Sequence, residues 1–206
     1  MQMLKECDKL LIQQQTSLQE AVMESFDLEK ENTYVVRDSI GREMFFASEE
    51  VEHGWLFKSF LNASRPFTIS VLPSNSRHGI RVSRPFRFYF HEASVTLLDG
   101  KPIGNVKKRF SVLRRVYSVY DSRGKERFRI IGPLLRPWTF NIMMGQKQIG
   151  VIKKNWSGLA REALTEADNF TLEFPLKLHP GYKLLLLGVV FLIDFVHFER
   201  QMSQKS

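Results

Sequence analysis

Ten consecutive apolar residues, "LLLLGVVFLI" from Leu184 to Ile193, constrain this chain more than any other feature. The run continues as "FVHF" only after crossing Asp194, and even counted through Phe198 it reaches fifteen residues. That is short of the roughly 18 to 20 that span a bilayer core, so the first expectation is a buried core helix and the second a membrane span. A helix apolar on every side has to be enclosed on every side. The rest of the chain must therefore supply a wall that surrounds it.

The material for that wall reads as short strands. Segments such as "FTISVL", "IRVS", "RFYF", "SVTLL" and "WTFNIMM" alternate or are β-prone, and turn residues separate them at the interval expected of a barrel or sandwich. An internal repeat strengthens the case: "YVVRDSIGRE" at Tyr34 to Glu43 returns as "YSVYDSRGKE" at Tyr117 to Glu126. In both copies a β-prone run enters Asp-Ser-x-Gly and leaves into another apolar run, which predicts a hairpin. Asp suits the first turn position and Gly accepts the positive φ at its end. A second echo pairs "PIGNVKKRF" (Pro102 to Phe110) with "QIGVIKKNW" (Gln148 to Trp156), and Arg-Pro-aromatic recurs at Arg65, Arg84 and Arg136, where proline should mark strand starts or edges. The expected architecture is mainly β, a barrel of two similar half-units wrapped around one helix.

Helical signals are fewer. Residues 1 to 30 fit a helix loosely, and "LLIQQ" reads equally as a strand; Ser157 is placed to cap a short helix through "GLAREALTEA". The 206 residues suit one domain, with residues 1 to 8 and 201 to 206 expected to be flexible. Cys7 is the only cysteine, which leaves no disulfide framework within one chain. The N-terminus lacks the apolar core of a secretory signal, so the chain is expected in the cytosol.

Charge is unevenly distributed. Residues 1 to 52 hold 12 acids and 5 basic residues, whereas the whole chain carries +8. The basic excess lies in three acid-free windows, His53 to His91, Gly100 to Tyr120 and Arg127 to Arg161, with six, six and seven Lys or Arg. Such windows favour a polyanionic surface. No nucleic-acid motif accompanies them, which leaves anionic lipid as the expected partner. Lys107, Lys108, Arg109, Arg114, Arg115, Lys153 and Lys154 are the candidate headgroup ligands, and the echo between their segments suggests that the two clusters lie near one another. Trp55, Phe57, Phe60, Phe86, Phe88 and Tyr89 are candidates for an interface, or equally for the core. Asp194 is expected to bond a buried partner or to sit near the helix end. No G-x-S-x-G, P-loop, H-E-x-x-H or CxxC occurs and the five His are scattered, so covalent catalysis is not expected.

Several segments together resemble the phospholipid scramblase family: "NWSGLAREALTEADNFTLEFPL" followed by "GVVFLIDFVHFER", and upstream "LLIQQQTSLQE", "YVVRDSIGREMFFASEE", "SRPFTISV", "IIGP" and "IGVIKKNW". The likeness runs from about Leu4 to Glu199. It implies a tubby-like fold, a closed barrel of about twelve strands around a C-terminal hydrophobic helix. It also implies bidirectional, calcium-triggered movement of phospholipids between leaflets, at the cytoplasmic face of a membrane, the plasma membrane first. A Pro-rich tail and a cysteine cluster for palmitoylation, which the resemblance leads one to seek, do not occur in this sequence. The calcium loop it implies falls on Glu166 to Lys177. Glu166 and Asp168 suit the first and third positions of such a loop, but Phe170, Thr171 and Lys177 stand where oxygen ligands, Gly and a bidentate acid belong. Glu166 and Asp168 are accordingly expected to form at most a weak calcium site.

Overall fold

The computed structural model describes residues 3–15, 30–50, 66–74, 78–85, 91–133, 135–136, 138–155 and 169–197. A 3-10 turn, Met3–Glu6, precedes twelve strands: β1 (Lys9–Gln15), β2 (Lys30–Asp38), β3 (Glu43–Glu50), β4 (Phe67–Pro73), β5 (Ile80–Arg84), β6 (Glu92–Leu97), β7 (Pro102–Arg109), β8 (Arg114–Asp121), β9 (Glu126–Pro133), β10 (Thr139–Met144), β11 (Lys147–Asn155) and β12 (Asn169–Glu173). One helix, α1 (Pro180–His197), follows. Each strand pairs antiparallel with the next, and β1 pairs with β12 to close the barrel. Closure removes the unpaired sheet edges that would otherwise invite aggregation. A barrel of eight strands has just enough interior for its own side chains, so twelve leave a lumen, and a helix about 10 to 12 Å across fills it.

Alternation along the strands does the enclosing. Ile69 and Val71 on β4, Val82 on β5, Val95 on β6, Val106 on β7, Val119 on β8, Ile130 on β9 and Ile142 on β10 are all buried, with more polar neighbours between them. They meet a helix buried without a break from Lys183 to Val196. Of the two expectations for the apolar run, the core helix is the one present, and with 18 residues α1 is longer than the run itself.

The repeat builds the same hairpin twice, six strands apart. In the β2–β3 turn Asp38 Oδ1 accepts from the N–H groups of Ile40 and Arg42 (3.1 and 2.9 Å), and Gly41 adopts φ 83°. In the β8–β9 turn Asp121 Oδ1 accepts from the N–H groups of Arg123 and Lys125 (both 3.0 Å), and Gly124 adopts φ 75°. Side-chain capture of two backbone donors explains the shared Asp, and the positive φ explains the shared Gly.

Some expectations need adjustment. In the segment whose type was open, the described residues form the 3-10 turn and β1, and Leu4 and Cys7 are buried against the helix. Pro66 precedes β4 as expected, but Pro85 follows the end of β5, since a residue with no N–H serves as well to stop a ladder as to start one. "RFYF", the helix after Ser157 and the aromatics Trp55, Phe57, Phe60, Phe86, Phe88 and Tyr89 lie outside the described residues.

Candidate membrane interface and the grip on the helix

Because neighbouring strands alternate in direction, the barrel has two distinct ends. The lower end carries the turns after β2, β4, β6, β8 and β10 and admits α1 from β12. At the upper end the odd-numbered strands finish and the even-numbered ones begin, and the C-terminus of α1 points towards it.

Most of the candidate cations stand at the upper end. Lys107, Lys108 and Arg109 end β7, Arg114 and Arg115 begin β8, and Lys153 and Lys154 lie near the end of β11. Lys107 Nζ is 3.2 Å from Glu92 Oε1, and Arg109 donates to Ser118 Oγ at 3.2 Å and to the Tyr120 hydroxyl. Arg109, Arg114, Arg136 and Lys153 are exposed. Among the described residues, the upper ends of β7 to β11 carry no acid; Asp99, Asp121 and Glu126, the acids of this part of the chain, all belong to lower turns.

Two parts of the sequence reading are corrected here. Three strands lie between β7 and β11, so the Lys107–Arg109 and Lys153–Lys154 clusters are not neighbours, and the echo between their segments does not follow the six-strand period of the repeat. Lys154 also faces inward, with its side chain 4% exposed and its Nζ 3.9 Å from Asp194 Oδ1. Adjacent residues on a strand point to opposite faces, and Lys153 takes the outer one. Arg115 likewise turns towards the barrel interior and lays its guanidinium 5.7 Å from the Phe140 ring centre.

The repeat tyrosines hold the last turns of α1. Tyr34 donates to Asp194 Oδ2 at 3.0 Å, and Tyr117 Oη lies 2.6 Å from His197 Nε2. Burial pushes the Tyr117 phenol well above its ordinary range, with the positive charges of Arg115 and Arg84 pulling the other way. It therefore keeps its proton, and the tautomer of His197 sets which of the two groups donates. Asp194 is thus a buried carboxylate that accepts a hydrogen bond from a phenol of β2 and faces an ammonium of β11 as an ion pair.

At the lower end Lys183 closes the other side. Its buried ammonium donates to the carbonyl oxygens of Leu4, Cys7 and Leu176 at 2.6, 2.6 and 2.8 Å, which uses all three of its protons. Burial lowers its pKa below the ordinary lysine value, and the nearby Cys7 and Asp8 oppose the shift. Sequence reasoning passed over this residue, because a lysine next to a leucine run looks like a solvated helix end.

Sequence reasoning also passed over the loop tips. Phe110, Val112 and Leu113, between β7 and β8, are 95%, 75% and 75% exposed, and Leu135, between β9 and β10, is 96% exposed. The visible signal was "RFSVLRR", apolar residues bracketed by arginine in a turn with no reason to bury them. Glu166 and Asp168 lie outside the described residues. Among the described residues no three His, Cys, Asp or Glu side chains converge as metal ligands.

The family model described as Scramblase matches residues 1–200. Phospholipid scramblase 1 of Mus musculus is 30% identical over 98% of this chain and 65% of its own length. Phospholipid scramblase 2 of Homo sapiens is 31% identical over 96% and 69%, and human phospholipid scramblase family member 5 is 26% identical over 97% and 77%. The chain thus spans about two thirds of the length of the first two relatives. No solved structure gives a significant match. With a family model covering all but its last residues, the chain belongs to the scramblase family.

Proposed function

We propose that this chain works on phospholipid membranes, moving phospholipids in both directions between leaflets while its barrel sits at the bilayer surface. The observation that carries the reading is that, among the described residues, the upper ends of β7 to β11 carry cations and no acid, on a chain whose relatives are named phospholipid scramblases. Lys107, Arg109, Arg114, Arg136 and Lys153 engage anionic headgroups, and each contributes roughly 1 kcal/mol near such a surface. Lys108 and Arg115 line the inner side of the same rim. The anionic lipid of the inner leaflet makes the cytoplasmic face of the plasma membrane the natural site of action. Covalent chemistry has no part in this reading, and a calcium contribution from Glu166 and Asp168 is weak.

A second reading, a lipid-binding module without transport, is favoured by the filled lumen: the described interior holds a helix and apolar side chains instead of a polar passage for a headgroup. One reconstitution separates the two. Purified protein in vesicles bearing a fluorescent phospholipid should expose inner-leaflet label to an external quencher faster than protein-free vesicles do, with or without calcium. Label movement equal to that of empty vesicles, with binding intact, would overturn transport and leave the module. Loss of neither activity in the triple variant Lys107→Glu, Arg109→Glu, Arg114→Glu would exclude the rim.

A further inference from the structure

We infer that the two loop tips penetrate an anionic phospholipid bilayer and seat the barrel on it with the upper end down and α1 steeply inclined to the surface. The inference rests on the lipid reading above and adds to it an insertion device and an orientation. Five large apolar side chains among the described residues are at least 75% exposed, and four of them, Phe110, Val112, Leu113 and Leu135, stand on two loops at one end. The register makes those loops neighbours: Arg114, the first residue of β8, pairs with Pro133, the last of β9, so both chains leave the sheet side by side. Cations bracket the tips, with Arg109 and Arg114 on one loop and Arg136 on the other. The fifth residue, Ile40, is at the lower end, where Asp38 pairs with Arg42 and Asp121 with Arg127. There the charges cancel locally; at the upper ends of β7 to β11 the described residues include no acid, and the nearest pairing is Lys107 with Glu92 of β6.

Apolar tips within a collar of one sign match the two layers of an anionic membrane surface, hydrocarbon under headgroups. A second copy of this chain fits poorly, because it would bring the same cations against the first. The tips are convex and carried on separate loops, whereas protein partners of comparable stability bury broad complementary faces.

The test uses the full chain with Cys7→Ser, which leaves no other cysteine, and places a polarity-sensitive fluorophore through Leu113→Cys, Leu135→Cys or, as a control, Ile40→Cys. With vesicles of phosphatidylserine and phosphatidylcholine, the labels at 113 and 135 should shift to the blue and be quenched by brominated acyl chains, while the label at 40 stays unchanged. Leu113→Glu and Leu135→Glu, at exposed positions that leave the core intact, should each weaken vesicle pelleting by about tenfold. Pelleting without a shift at 113 and 135 would overturn insertion while leaving headgroup binding by the cations standing. No pelleting would remove the lipid reading and the insertion together. A shift at 113 or 135 without vesicles, accompanied by a doubled mass in solution, would make the tips a protein interface and overturn the inference.

Discussion

At Gly188 the helix approaches the wall so closely that a Cβ would stand 2.7 Å from Val95 Cγ2. Alanine in a helix interior is worth about 1 kcal/mol over glycine, but an unaccommodated methyl in a packed core costs about 1 to 3 kcal/mol. Val95 is β-branched and enclosed, so packing should win. Gly188→Ala is expected to lower the midpoint of urea unfolding, and a midpoint unchanged or raised would mean that α1 can shift in the lumen. Tyr117 and Cys7 supply a second residue-scale expectation. Burial raises both pKa values above their ordinary 10.0 and 9.0, so from those values upward the unfolded chain loses protons that the folded chain retains. Stability then falls as pH rises, by up to about 1.4 kcal/mol per pH unit for each group in its window. Lys183 acts in the opposite sense, because its lowered pKa lets the folded chain lose a proton below the ordinary 10.5. Comparing the native chain with Tyr117→Phe isolates one contribution: between pH 10 and 11 the variant should lose stability less steeply. Parallel curves would show that the Tyr117 proton is not retained.

At the scale of elements, the helix was legible because its hydrophobicity is all-round, and the strands were legible because β-branched and aromatic residues alternate between turn signals. The repeat showed the β2–β3 and β8–β9 hairpins, whose turn chemistry is local to five residues. What holds α1 inside was not legible, since its partners are remote: Tyr34 and Asp194 are 160 residues apart, and Lys183 meets the Leu4 carbonyl across 179. Nor was the inward direction of Lys154 apparent, because "KKN" at the end of a strand reads as a solvated tip until the register fixes its face. The buried Asp194–Lys154 contact permits a double-mutant test. Removing one member strands the other charge in the interior, at a cost of about 3 to 5 kcal/mol, while removing both leaves no charge to solvate. Asp194→Asn and Lys154→Met should therefore each destabilise the fold strongly, and the double variant should lose clearly less than their sum. Additive losses in urea titrations would mean that the two side chains do not interact.

For the whole molecule the decisive question is whether α1 stays in the barrel when the protein meets a membrane. By length and composition it is apolar enough to cross one, yet most of it is buried inside the fold. Eleven of its buried residues are Leu, Val, Ile or Phe, from Leu184 to Val196. If α1 moved into lipid, its own side chains would keep apolar surroundings, but the facing ring from Ile12 to Leu172 would line an emptied lumen. At about 1.5 to 3 kcal/mol for each large apolar side chain returned to water, such a ring costs more than the 5 to 15 kcal/mol that holds a typical domain together. Lys183 and Asp194 would leave their buried partners as well. The helix is therefore expected to remain the barrel's core on the bilayer, with the membrane touching the upper rim alone. Hydrogen exchange measured with and without anionic vesicles distinguishes the outcomes. Amides from 183 to 196 should stay equally protected while those at 110 to 113 and 135 slow on binding. Faster exchange along the barrel strands in the presence of vesicles would mean that the helix had left, because the emptied wall would then open.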